Sequence, residues 1–97
     1  MSNKATLIVS GIINVNEKEA YSSYIENAGP FFKQFGSNPV AKYPISQVLF
    51  GTDEIEFIAI MEFPDLESIQ ALFNTKAYKK LLPIREKAFK KLNVYIS

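Results

Sequence analysis

The chain of 97 residues has no cysteine, no histidine and no tryptophan, and only one arginine among eleven basic residues. Without cysteine it can form no disulfide scaffold, thiolate metal site or cysteine nucleophile. Without histidine it lacks a catalytic triad of the usual kind and an imidazole ligand for zinc or haem. No carboxylates have the spacing of a calcium loop. We therefore expect no metal ion and no cofactor.

Long apolar runs are also absent, and none approaches the roughly 20 residues of a membrane span. The N-terminus lacks the pattern of a signal peptide, so we expect a cytoplasmic protein. The net charge of +1 argues against a dedicated nucleic-acid binder. Residues 76–91 nevertheless carry six lysines and Arg85 against the single acid Glu86. This basic stretch either keeps the protein soluble or contacts an anionic partner.

The composition is 47% hydrophobic, with eight phenylalanines and five tyrosines. A chain of this length and composition can bury one core, which predicts a single domain over residues 1–97. Residues 5–13 are β-branched and apolar, and predict a strand. Residues 38–51 predict a second strand, in which Pro44 indicates an edge position or a bulge. Residues 54–63 and 93–97 predict two more.

Helical signals separate these strands. Asn16, followed by Glu19 three residues later, predicts a capping box and a helix over 17–35. Gly36 is a natural helix end. One apolar stripe runs along this helix, formed by Tyr21, Tyr24, Ile25, Ala28, Phe32 and Phe35. Asp65 is expected to cap a second helical region, which runs from Leu66 to Lys91 and is broken near Asn74-Thr75. The order β-α-β-β-α-β predicts an α+β, ferredoxin-like fold, a four-stranded antiparallel sheet with helices on one face.

The face of the sheet without helices is too apolar to be left in water. The third strand places Ile58 and Ile60 at its centre, and the first strand is apolar on both sides. A large apolar patch usually marks an interface, so we expect this face to pair with a second copy in a homodimer. The alternatives are a ligand face or a platform for single-stranded RNA. The glutamates Glu56 and Glu62 on the same strand argue against RNA.

The segments "NEKEAYSSYIENAGPFFKQFG", "QVLFG" and "IMEFPDLESIQALFNTKAYKKLLPIREKAF" resemble a bacterial family of uncharacterised proteins, domain of unknown function thirteen-thirty. The resemblance spans Val15 to Ile96 and implies the dimeric α/β-barrel group, in which two ferredoxin-like sheets close on each other. Related-looking barrels include cofactor-free oxygenases, isomerases and haem-handling proteins, and the missing histidine disfavours haem. The chain departs from the family pattern at Ser37, usually glycine, and at Gln47, often an acid.

Arg85 stands within an apolar helical stripe, because Ala88, Phe89 and Leu92 follow it at helical spacing. A buried charge needs a partner. One candidate is the carboxylate of Glu62. The other is an anionic or carbonyl ligand, which the planar guanidinium would hold.

Tyr24 and Tyr78 present the same choice, because each brings a hydroxyl to an apolar stripe. They either pack in the core or surround a pocket between helices and sheet, with Glu62 as a candidate general base. Two functions follow. One is a small-molecule site in each protomer, formed by Arg85, Tyr24, Tyr78 and Glu62, which either only binds its ligand or belongs to a cofactor-independent enzyme. A cavity of about 300 Å³ or more would favour it. The other is a non-catalytic dimeric binding or regulatory module with a filled core and an Arg85–Glu62 pair.

Overall fold

The computed structural model describes residues 4–97 and has the predicted α+β, ferredoxin-like architecture. The strands are β1 (Ala5–Ile13), β2 (Asn38–Pro44), β3 (Phe57–Phe63) and β4 (Phe89–Ile96). The helices are α1 (Lys18–Gln34), α2 (Leu66–Asn74), α3 (Lys76–Lys79) and α4 (Leu82–Ala88), and a 3₁₀ turn, Val15–Glu17, precedes α1. The strands form one antiparallel sheet in the order β2-β3-β1-β4.

The start of α1 differs from the prediction. The side chain of Asn14 accepts a hydrogen bond from the backbone N–H of Asn16 at 3.1 Å, and the 3₁₀ turn begins there. The predicted capping box of Asn16 and Glu19 is therefore wrong. Asn14 still has extended backbone angles as the chain leaves β1, so its side chain reaches the first free N–H groups.

The end of α1 is as predicted. Gly36 has φ +90°, and its N–H donates to the carbonyl of Lys33 while that of Ser37 donates to Phe32, both at 3.0 Å. This pattern is a Schellman motif, which satisfies the last carbonyl groups of a helix. A side chain at Gly36 would also meet Pro64, since a Cβ there would lie 2.7 Å from the Pro64 Cγ.

Strand β2 is an edge strand, as Pro44 indicated, but it is shorter than predicted and ends at that proline. Its irregularity lies between Pro39 and Ala41 rather than at Pro44. Beyond Pro44 the regular ladder stops, and an isolated hydrogen bond joins the Ile45 N–H to the Glu56 carbonyl at 2.8 Å. The rest of the segment to Glu56 lies outside the strands. Proline, which cannot donate to a ladder, accounts for the early end.

The second helical region begins as predicted, with Asp65 capping α2 and Thr75 capping α3. It does not reach Lys91, because β4 begins at Phe89. Pairing with β1 overrides the helical period here. Phe89 is paired with Ile13 and Lys91 with Ile12, so Lys90 is the extra residue of a bulge.

The core has two parts. Under α2, the buried residues are Ala5, Leu7, Phe63, Ile69 and Leu72. Between α1 and the C-terminal helices, they are Tyr24, Ala28, Tyr78, Leu81 and Ala88. The second part contains both predicted tyrosines and positions the candidate site. In residues 4–97 there is no helix both long and apolar enough to cross a membrane.

Candidate functional site

Two tyrosine hydroxyls meet in the core between α1 and α3. Tyr24 comes from the middle of α1 and Tyr78 from the short helix α3, and their oxygens lie 2.8 Å apart. Both side chains are buried, and Tyr78 is only 2% exposed. Helix α3 holds Tyr78 in place because its backbone N–H donates to the hydroxyl of Thr75, the capping residue. The structure therefore joins two of the predicted site residues directly.

Arg85 lies next to this pair. Its Nη1 donates a hydrogen bond to the Tyr78 hydroxyl at 3.1 Å, and its guanidinium carbon lies 5.9 Å from the centroid of the Tyr78 ring. The predicted Arg85–Glu62 pair is wrong. Within the described chain the one ion pair joins Lys91 to Asp53. Arg85 is only half-buried, so water can solvate the rest of its charge and no carboxylate is required.

Glu62 is remote from the other three candidates. It is paired with Thr6 of β1 and Asn38 of β2, on the face of the sheet opposite the helices. Because successive residues of a strand point to opposite faces, its neighbour Phe63 enters the core while Glu62 cannot. The structure thus does not place Glu62 where it could act as a base on a molecule held near the tyrosines.

The hydroxyl of Tyr24 keeps its proton over an unusually wide pH range. Burial raises the pKa of Tyr24 well above its ordinary value, and the hydrogen bond with Tyr78 raises it further, while the nearby charge of Arg85 acts in the opposite direction. Removing a phenol from water disfavours its charged form. At neutral pH Tyr24 is therefore a hydrogen-bond donor or acceptor and not a base.

The two hydroxyls have one more proton than their mutual bond uses. A tyrosine hydroxyl has one O–H and can accept twice. Tyr78 accepts from Arg85, and either tyrosine can donate in the bond between them. The other O–H has no acceptor within the described part of the chain and can donate to a molecule beside the pair.

Such a molecule would lie in the cavity between α1 and the sheet, which has a volume of about 160 Å³. Tyr24 and Tyr78 line it, whereas Arg85 and Glu62 do not. Its other walls are almost wholly apolar and come from all four strands and from two helices, with Tyr21, Ile25, Phe32 and Phe73 from the helices and Val9, Ile13, Phe57, Ala59, Met61, Phe89, Leu92 and Val94 from the strands. Lys42 is the cation among the lining residues.

Phe89 is a cavity residue that the sequence placed wrongly, on a helix. Its ring packs edge-on against Tyr21 and Tyr24, with centroids 5.7 Å away in both cases. Another edge-on contact, of 4.9 Å, joins Phe73 to Tyr78. These aromatic contacts hold the cavity walls in defined orientations. The alternation of apolar residues from Leu92 onward is the one sequence signal that indicates a strand near Phe89.

Comparison with solved structures supports the fold. A protein of unknown function from Rhodopseudomonas palustris is similar over the whole chain, with TM-score 0.83, 16% identity and 82% of its own length covered. A protein from Bacteroides fragilis described as dimeric and ferredoxin-like has TM-score 0.63 and 11% identity, over 98% of this chain and 95% of that one. SnoaB, a cofactor-independent oxygenase from Streptomyces nogalater, has TM-score 0.66 and 11% identity, over 99% and 92%.

At these identities the likeness establishes the fold alone. No curated protein matches the chain in sequence. A family model does match, over residues 5–96, and it is that of the domain of unknown function DUF1330. The match covers nearly the whole chain, as the sequence resemblance implied. The chain therefore belongs to the DUF1330 family.

Proposed function

We propose that the protein is a homodimer in which each protomer binds one small, mainly apolar molecule that carries an oxygen acceptor. The molecule occupies the cavity between α1 and the sheet. Its oxygen accepts a hydrogen bond from whichever O–H of the Tyr24–Tyr78 pair is not used in the bond between the two tyrosines. The observation that carries this proposal is the pair itself, because both bonded tyrosines line a cavity whose other walls are almost wholly apolar. Binding sites commonly combine apolar walls with a few placed polar groups.

The cavity limits the size of the molecule. Its volume of about 160 Å³ is smaller than the roughly 300 Å³ of ordinary ligand sites. It is close to an engineered apolar cavity of about 150 Å³ in another protein, which binds benzene. A body of one six-membered ring is therefore the expected upper size.

Binding is favoured over catalysis by the groups that line the cavity. Its titratable residues are three tyrosines and Lys42, and Tyr24 stays protonated at neutral pH. With Glu62 on the opposite face of the sheet, no carboxylate of the described chain is placed to remove a proton there. This supports a non-catalytic binding or regulatory module. The same O–H would stabilise negative charge developing on a carbonyl oxygen, so cofactor-independent catalysis is the second candidate.

The homodimer would form through the open face of the sheet. Ile8 is paired with Ile60 at its centre, and Tyr43 and Tyr95 flank them with 57% and 55% of their surfaces exposed. A row of apolar side chains across four strands is typical of an isologous interface. The dimeric relative from Bacteroides fragilis shares this fold. A cytoplasmic location stays a prediction.

The test of the binding site is a titration followed by heteronuclear NMR. Cyclohexanone, with one carbonyl, and toluene, with none, should both shift the signals of Phe89 and other cavity residues. The double substitution Tyr24→Phe and Tyr78→Phe removes both hydroxyls. It should weaken the affinity for cyclohexanone about two- to tenfold, because this is the contribution of one neutral hydrogen bond. Toluene affinity should change less than twofold.

Tyr43→Phe is the matched control, because Tyr43 lies on the open face and does not line the cavity. It should change neither affinity. If neither compound shifts the cavity signals at tens of millimolar, the site does not exist as proposed. If both lose affinity equally in the double variant, the hydroxyls do not bind the oxygen.

A further inference from the structure

A cationic groove lies beside the cavity, at the edge of the sheet formed by β4. It has a volume of about 510 Å³ and is lined by Arg85, Glu86, Lys90 and Lys91 together with three apolar residues of β4. One N–H of Arg85 is bonded to Tyr78, and no ion pair neutralises its charge within residues 4–97. A guanidinium has five N–H donors in a planar fork, so most of them remain available.

The groove and the cavity adjoin each other. Phe89, Leu92 and Val94 line both of them. Tyr78 also connects the two, because it lines the cavity while its hydroxyl accepts from Arg85. Arg85 is thus one hydrogen bond away from the cavity wall. A molecule with its body in the cavity could extend a short polar end over these shared residues to Arg85.

The charges of the groove favour an anion. Lys91 is paired with Asp53, and Glu86 offsets one further positive charge. Arg85 and Lys90 still leave the groove with a net positive charge. Lys90 is the unpaired residue of the β-bulge, and its side chain is exposed. The bulge therefore adds a second cation to the groove that contains Arg85.

We propose that the ligand is a small monocarboxylate whose ring or short chain fills the cavity and whose carboxylate binds Arg85 in the groove and accepts the hydrogen bond that the Tyr24–Tyr78 pair can still donate. This inference rests on the proposed cavity and specifies its ligand class. The planar fork of arginine matches the two oxygens of a carboxylate, which lysine does not. That match accounts for a single arginine at this position in a chain that otherwise uses lysine.

Three probes test the proposal on the wild-type protein by calorimetry and NMR. Phenylacetate has both parts, phenylacetamide has the same shape without the charge, and acetate has the charge without the ring. Phenylacetate should bind at least tenfold more tightly than phenylacetamide, because a hydrogen bond to a charged group is worth more than a neutral one. It should also bind at least tenfold more tightly than acetate, because acetate has no ring to bury in the cavity. Its affinity should fall with added salt.

Substitutions then assign the charge to one residue. Arg85→Met should weaken phenylacetate at least tenfold and phenylacetamide less than twofold, and Arg85→Lys should have an intermediate effect. Lys87→Met is the matched control, since Lys87 is an exposed cation of α4 that does not line the groove. It should change both affinities less than twofold. The wild-type comparison needs no variant and holds even if Arg85→Met does not fold.

The possible outcomes separate the two proposals. If phenylacetamide binds as tightly as phenylacetate, the carboxylate class is wrong and the apolar cavity stands. If acetate binds as tightly as phenylacetate, the groove takes anions without the cavity, and the joined site is wrong. If neither aromatic probe shifts the cavity signals, the proposed function fails as well.

Discussion

Replacing Tyr78 with phenylalanine tests how the two tyrosines and the arginine depend on one another. The Tyr78 oxygen lies 2.8 Å from that of Tyr24 and 3.1 Å from Nη1 of Arg85, so the substitution removes two hydrogen bonds. Tyr24 is buried, and losing its partner there costs about 1–3 kcal/mol. Arg85 is half-buried, so its guanidinium can hydrogen-bond to water instead, and the loss of its bond to Tyr78 costs less. We expect a total loss of about 2 kcal/mol in the free energy of unfolding.

The companion substitutions should cost less. Tyr24→Phe leaves Tyr78 bonded to Arg85, and Arg85→Met leaves it bonded to Tyr24, so each should cost about 1 kcal/mol. The double variant Tyr24→Phe and Tyr78→Phe should cost no more than Tyr78→Phe alone, because it also removes the hydroxyl left without a partner. Tyr21→Phe is the control, as that ring packs on Phe89 but its hydroxyl makes no hydrogen bond within residues 4–97.

The assay is urea denaturation followed by circular dichroism at one fixed protein concentration, since the proposed dimer would make stability depend on concentration. Tyr21→Phe should stay within about 0.5 kcal/mol of the wild type. A loss for Tyr78→Phe no larger than that for Tyr24→Phe would refute the central position of Tyr78. Additive losses in the double variant would show that the two hydroxyls are not coupled.

Two further predictions concern assembly and pH. Ile60→Glu places a charge at the centre of the open face and should make the protein monomeric in sedimentation equilibrium. The control is Leu66→Glu, which changes an exposed apolar residue of α2 and should leave the dimer intact. A monomeric wild type at high micromolar concentration would contradict the dimer. Because the pKa of Tyr24 is raised in the fold, its stabilising contribution is complete below about pH 10, where an unfolded tyrosine titrates, and is lost as the pH rises above it. In an absorbance titration at alkaline pH, Tyr24→Phe should remove one late-ionising phenol, and an unchanged titration would contradict the assignment.

Local patterns predicted the elements that depend on local chemistry. The β-branched run at Ala5–Ile13, the glycine at position 36 and the cap at Asp65 all act within a few residues of themselves. They were predicted correctly because strand propensity, left-handed backbone and capping are short-range effects. Errors arose where two local signals competed or where a distant strand decided the outcome. Asn14 caps the turn before α1 instead of Asn16, and Phe89 pairs with Ile13 instead of continuing α4.

The candidate site divides in the same way. The sequence singled out Tyr24, Tyr78 and Arg85 as polar groups on apolar stripes, and the structure brings these three together. The sequence could not show that Glu62 lies on the other face of the sheet, because the pairing of β3 with β1 and β2 decides where a strand residue lies relative to a helix residue. Nor could it show that the cavity and the cationic groove share Phe89, Leu92 and Val94.

By itself, then, the sequence determined the fold class, the order of its elements and which polar side chains had to be reconciled with an apolar environment. Only the tertiary structure decided their partners. Residues 54 positions apart, such as Tyr24 and Tyr78, meet through the packing of α1 against the C-terminal helices. Such contacts depend on how whole helices and strands are placed relative to one another. Hydrophobic periodicity shows which face of an element is buried, but it does not show which other element packs against that face.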